Sequence, residues 1–168
     1  IRLPRVLLAV LVGMALAVAG AIAQAVLRNP LADPGIIGIN SGAALAAMVV
    51  LVGLDDVSPA ILPVAGFAGA SAMVAAIFLL SWKNGTSSLR LLLIGIGLGA
   101  LASAATTFLT AVGDIGDVQR AMVWMAGSLF DSNWTKVAVL AAWSVPVMVA
   151  AWLVSHHLDA TLLGDGIA

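Results

Sequence analysis

Few residues in this chain have the type and spacing to do chemistry. Arg2 and Arg5 stand three apart in Arg2-Leu3-Pro4-Arg5, so on a helix they share one face. Two guanidiniums so placed can snorkel at a membrane surface or meet acidic groups on a partner, and spacing leaves both open. His156 and His157 are adjacent, hence about 100° apart around a helix, which serves one metal ion poorly. They read as interfacial structural residues, and no metal site is expected. No HExxH, carboxylate pair or Ser/His/Asp set is visible, so no catalytic residue is assigned. Gly95-Ile96-Gly97-Leu98-Gly99 has the look of a nucleotide loop. It sits inside an apolar span, without the strand and helix that a dinucleotide fingerprint requires, and reads as helix packing. The GxxxxGK[ST] phosphate loop is absent from the sequence, so ATP hydrolysis by that route is excluded. With no cysteine, disulfides, thiolate metal sites and thiol catalysis are also excluded, and no cofactor is expected.

The elements carrying these residues are apolar helices. Of 168 residues, 62% are hydrophobic and 9% charged, against about 25% charged in an ordinary soluble domain. A soluble fold this apolar could not cover its surface with polar groups. A bilayer core of roughly 30 Å asks for about 20 apolar residues per helix. The pattern predicts an all-α integral membrane protein with about five transmembrane helices, near 6–27, 36–54, 60–80, 89–112 and 134–154. Pro4 suits a first helical turn, and Pro30 disfavours helix at the residue before it. Between spans four and five, Ile115, Val118, Met122, Met125 and Leu129 recur at three and four residues. This segment, 115–129, is too polar to span comfortably. It reads as a short surface helix packed on the bundle.

Small residues four apart recur in the spans, at Gly13/Ala17, Gly38/Gly42, Gly66/Ala70 and Gly95/Gly99. Such pairs let helix backbones approach closely within lipid. Thr106 and Thr107 could face a transported molecule or bond back to their own helix. Loop charges do not orient the chain: Arg28, Lys83 and Arg90 on one side balance Arg2, Arg5, Arg120 and Lys136 on the other. The net charge of −1 gives no basic patch for nucleic acid. The ends, Ile1-Arg2-Leu3 and Gly166-Ile167-Ala168, read as those of a truncated piece of a longer protein.

Several motifs together resemble a known family. Arg2-Leu3-Pro4-Arg5 opens a helix that runs to Gln24 and Arg28-Asn29-Pro30-Leu31-Ala32-Asp33-Pro34-Gly35. Ile36-Ile37-Gly38-Ile39-Asn40-Ser41-Gly42-Ala43 follows. These blocks resemble the second and third helices of permease subunits of ABC importers for iron-siderophores, haem and vitamin B12. Arg90-Leu91-Leu92-Leu93-Ile94-Gly95-Ile96-Gly97 resembles the family's fifth helix, and Trp124-Met125-Ala126-Gly127-Ser128-Leu129 with Trp134 its next signature. Leu158 to Ala168 resembles the start of the cytoplasmic coupling segment, with Gly166 where the family often has an acidic residue. Trp82-Lys83-Asn84-Gly85 looks most like the ferric-siderophore members.

The resemblance covers the whole chain in the family's order and implies a ten-helix permease of which helices two to six are present. It implies a multi-pass subunit in the cytoplasmic (inner) membrane, in contact with lipid. Its partners would be a second permease subunit, identical or paralogous, two ATPase subunits and an extracytoplasmic substrate-binding protein. Arg2 and Arg5 match the arginines that dock the binding protein. Asn29, Pro30, Leu31, Ser87, Ser88 and Leu89 match the inner gate, and Leu163, Gly164 and Asp165 match the ATPase-coupling segment. The implied function is iron-siderophore translocation without an ATPase site of its own, so the chain is not an enzyme. A cobalamin or haem permease is the alternative within the family. An ion-coupled secondary transporter is the alternative outside it, and would be expected to carry an ionisable group at mid-depth, which these spans lack.

Overall fold

The computed structural model describes residues 2–54, 57, 58, 60–82 and 87–162, with 156–162 by backbone alone. The described residues form six helices: α1 (Arg2–Leu27), α2 (Ile39–Gly53), α3 (Ile61–Ser81), α4 (Ser88–Val112), α5 (Ile115–Ala126) and α6 (Trp134–Leu162). They fall into two compact units, one of Ile1–Ala32 with Ser128–Ala168 and the other of Asp33–Gly127.

The first unit pairs α1 with α6. Both contain stretches long and apolar enough to cross a membrane. Pro146 lies inside α6 without ending it. A missing N–H is tolerated in such helices because neighbouring groups re-satisfy the freed carbonyl. The stop of α1 is sharper than Pro30 alone would give. Arg28 adopts a left-handed φ of 50°, Asn29 N–H donates to Gln24 O at 3.1 Å, and Arg28 N–H donates to Ala25 O at 3.2 Å. This is the Schellman closure, usually built on glycine.

The second unit holds α2 to α5 around Met48, Leu51, Leu62 and Ala121, flanked by Val57, Leu109 and Trp124. Helices α3 and α4 are also long and apolar enough to span, whereas α2 is shorter. The span expected over 36–54 is a helix of 15 residues, about 22 Å long at 1.5 Å per residue. The cause is local. Asp33 Oδ1 accepts from Gly35 N–H at 2.7 Å, Ile36 and Gly38 continue the turn, and Gly38 has φ 86°. Apolar residues 36 and 37 therefore lie in the turn that leads into the helix.

Glycine sets the packing of this unit. A Cβ built on Gly38 would lie 2.6 Å from Gly95 O and 2.9 Å from Gly99 Cα. One on Gly42 would lie 2.7 Å from Gly69 O. Backbone thus meets backbone between α2 and both α3 and α4, as small-residue packing within lipid allows. The expectation holds for Gly38/Gly42 and Gly95/Gly99. At Gly13 nothing described lies within 4 Å.

Helix α5 ends at Ala126, three residues short of the expected surface helix, because Gly127 turns the chain at φ 71°. Its contact face is also rotated from the expected stripe. Ala121 is fully buried and Val118 and Trp124 partly so, while Ile115 is 85% exposed and Met122 is exposed as well. Spacing finds an apolar stripe but does not say which of two adjacent stripes meets the neighbours. Asp114 caps α5, its Oδ1 accepting from Gly116 N–H at 2.8 Å. Loss of such a cap costs about 1 kcal/mol. Asp114→Ala is therefore expected to lower the thermal midpoint of the purified subunit, with Asp114→Asn close to wild type.

Candidate functional site

Arg2 and Arg5 are both exposed on the opening turns of α1, while Pro4 between them is buried. Pro4 lacks an N–H and so suits a first turn. The positive end of a helix dipole disfavours cations there. Local helix stability therefore does not account for two arginines at this place.

The two segments matched to an inner gate belong to different compact units. In the first, Asn29 Oδ1 accepts from Leu31 N–H at 2.9 Å, Ala32 N–H bonds back to Asn29 O at 3.0 Å, and Leu31 is 85% exposed. Asn29 and Pro30 line one end of an apolar cavity of about 660 Å³ with Trp152 and Ser155. The Schellman closure and the Asn29 turn make this a stiff support for one protruding leucine. In the second, Ser87 caps α4, its Oγ accepting from Arg90 N–H at 3.2 Å. Ser88 opens the helix and Leu89 is exposed. Arg90 Nη1 donates to the carbonyl of fully buried Ser81 at 3.3 Å, so Arg90 ties the end of α3 to the start of α4. Leu163, Gly164 and Asp165 lie outside the described residues, as do the side chains of His156 and His157.

The structure adds a cavity in the second unit that spacing did not single out as a set. Asn40, Ser41, Ser103, Thr106, Thr107, Trp124 and Met125 line about 570 Å³ of space at α2, α4 and α5. Ser103 Oγ lies 3.4 Å from Ser41 Oγ. Thr106 donates to Ala102 O at 2.9 Å and Thr107 to Ser103 O at 3.0 Å. The two readings of these threonines are thus compatible, since both bond back to their helix and both line the cavity. Trp124 packs its ring edge against Gly66, 3.1 Å from where a Cβ would stand, and joins the apolar core on its other side. Ser103, Thr107 and Thr110 recur at four and three residues, a polar line on an apolar helix. Of the cavity residues, spacing singled out only Thr106 and Thr107; Asn40 and Ser41, some sixty positions away, open a shortened helix beside them.

A helix long enough to span a bilayer is expected to turn such polar groups toward protein or a water-filled path. The class defined by this fold is a helical membrane protein with a polar cavity among apolar spans. The model of the FecCD transport family matches residues 1–168, and the chain belongs to that family. It is 43% identical to the achromobactin transport system permease protein CbrC of Dickeya dadantii over 100% of this chain and 48% of that protein. It is 43% identical to the hemin transport system permease protein HmuU of Yersinia pestis over 98% and 51%. With the ferric enterobactin transport system permease protein FepG of Escherichia coli the identity is 39% over 99% and 50%. A solved structure described as an inward-facing conformation of a metal-chelate type ABC transporter matches with TM-score 0.88 and 30% identity, over 99% of this chain and 53% of that one. The chain spans about half the length of the curated relatives it matches.

Proposed function

We propose that this chain is the helix-two-to-six portion of a permease domain in an ABC importer that moves an iron-siderophore chelate inward across the cytoplasmic membrane. The observation that carries the reading is the polar cavity of the second unit, in a chain that belongs to a transport family. Permeases named for achromobactin and ferric enterobactin among its relatives support the cargo. A haem cargo is the second reading, favoured by the 43% identity to a hemin permease.

On this reading the protein contributes shape and gating and no covalent chemistry. Two separate ATPase subunits, a second permease subunit and an extracytoplasmic binding protein complete the machine. The binding protein favours one state and ATP another, so the path opens alternately to each side. Arg2 and Arg5 receive the binding protein. Asn29, Pro30 and Leu31, with Ser87, Ser88 and Leu89, form the inner gate, and Leu163, Gly164 and Asp165 begin the contact to the ATPase. Stiff turns suit a gate because they present a side chain such as Leu31 without rearranging the backbone beneath it.

The test is uptake of a labelled ferric siderophore into liposomes holding the full-length subunit and its genomic neighbours. Uptake is expected to require both ATP and the binding protein. Uptake driven by an ion gradient and indifferent to ATP would replace the importer with a secondary transporter. Uptake of haem in preference to the siderophore would select the second reading.

A further inference from the structure

The cavity at α2, α4 and α5 is polar but uncharged. None of Asn40, Ser41, Ser103, Thr106, Thr107 or Trp124 carries a charge. The hydroxyl protons of Thr106 and Thr107 are engaged on carbonyls of α4 at 2.9 and 3.0 Å, while Ser103 Oγ and Ser41 Oγ stand 3.4 Å apart. A hydroxyl whose proton is held still has lone pairs to offer. Thr106 and Thr107 therefore serve the cavity as acceptors, while Ser41, Ser103 and the Asn40 amide can act in both senses and the Trp124 indole N–H can donate. Asn40, Ser103 and Thr107 are exposed, with Ser41 and Thr106 half-buried, so the oxygens are within reach of an occupant. The volume of about 570 Å³ lies within the roughly 300–1,000 Å³ usual for small-molecule sites.

We infer that this cavity is a contact station for the organic shell of the cargo, and that it accepts hydrogen bonds from N–H and O–H groups on that shell. This rests on the importer reading. The cavity lacks carboxylate, imidazole and thiolate among its lining residues, the groups that hold transition metals. The metal therefore stays with its own chelator, and the anionic oxygens that bind it find no cation here. A shell rich in amide N–H and hydroxyl is favoured over one whose outer surface is carboxylate.

The experiment pairs a permease change with a cargo change. The full-length subunit, with its ATPase and binding protein, is assayed for ATP-dependent uptake of a ferric hydroxamate peptide bearing free backbone N–H groups and of its N-methylated analogue. The subunit is wild type, Thr106→Val/Thr107→Val, Thr107→Val or Thr106→Ser/Thr107→Ser. Valine keeps the shape and removes the acceptor, whereas serine keeps it. The binding protein is common to all arms, so a change in the ratio of the two uptake rates belongs to the permease.

Wild type and the serine variant are expected to prefer the N–H cargo. That preference is expected to fall about three- to tenfold in the double valine variant, the range of one neutral hydrogen bond. Thr107→Val, at an exposed position, gives a smaller fall and serves where the double variant does not assemble. An equal ratio in wild type and both valine variants would overturn the inference while leaving the importer standing. Uptake of both chelates that is driven by an ion gradient and indifferent to ATP would remove the importer reading and this inference together.

Discussion

Gly38→Val is expected to leave almost no folded subunit, with Gly95→Val close behind. Valine at Gly38 meets two independent obstacles. Its φ of 86° is left-handed, costing a β-branched residue about 1–2 kcal/mol or more. Its Cβ would also stand 2.6 Å from Gly95 O, against backbone that no rotamer change can move aside. Overpacking of this kind costs about 1–3 kcal/mol, and the sum is a large share of the roughly 5–15 kcal/mol that holds an ordinary domain. At Gly95 the Cβ would stand 2.5 Å from Ile37 O, whereas at Gly97, two residues on, nothing described lies within 4 Å. The comparison of Gly95→Val with Gly97→Val holds chemistry, helix and neighbourhood nearly constant. The monodisperse fraction on size exclusion in detergent, with the thermal midpoint of what remains, should fall sharply for the first and little for the second. Equal loss in both would mean that the glycine run is needed for a reason other than the approach of α2 to α4.

That approach also shows what the sequence could and could not reveal. Apolar length locates helices well where lipid is the solvent, because every backbone group must be satisfied within the helix. The reading over 60–80 became Ile61–Ser81, and that over 89–112 became Ser88–Val112. It failed at 36–38, because hydropathy registers Ile36 and Ile37 as membrane-compatible and is blind to a left-handed Gly38. It failed again on α5, where Ile115 and Met122 are as apolar as Val118 and Ala121 but face away from the second unit's core. In a membrane protein both lipid and core are apolar, so hydrophobicity does not separate the two faces as it does in water. The cavity was half legible. Thr106 and Thr107 interrupt an apolar helix, but the meeting of Ser103 with Ser41 beside them depends on α2 beginning opposite the middle of α4. The Gly38 contacts with Gly95 and Gly99 create that offset, and no local pattern encodes it. The family resemblance supplied roles for Arg2, Arg5 and the gate segments that residue chemistry alone left open.

Arg2→Glu/Arg5→Glu is expected to separate function from stability in opposite directions. On the proposed docking role, the two guanidiniums would meet carboxylates on the binding protein. A hydrogen bond to a charged group contributes about 1.5–3 kcal/mol, so loss of two, with repulsion added by reversal, should weaken docking at least about 100-fold. Uptake at limiting binding protein falls accordingly, and the salt dependence of docking reverses, since salt that screens attraction in the wild type screens repulsion in the variant. The subunit itself should melt no lower than wild type. Both positions are exposed beside Pro4 on the opening turns of α1, where acidic side chains suit the helix dipole better than arginine by about 0.3–1 kcal/mol each. A structural or purely lipid-anchoring role predicts the other pattern, in which thermal stability or membrane insertion falls and affinity for the binding protein is unchanged. Exchanging the facing carboxylates of the binding protein for lysine should restore part of the uptake to the double variant and to nothing else. Absence of that rescue, with docking affinity intact, would move the arginines from the partner interface to the lipid surface.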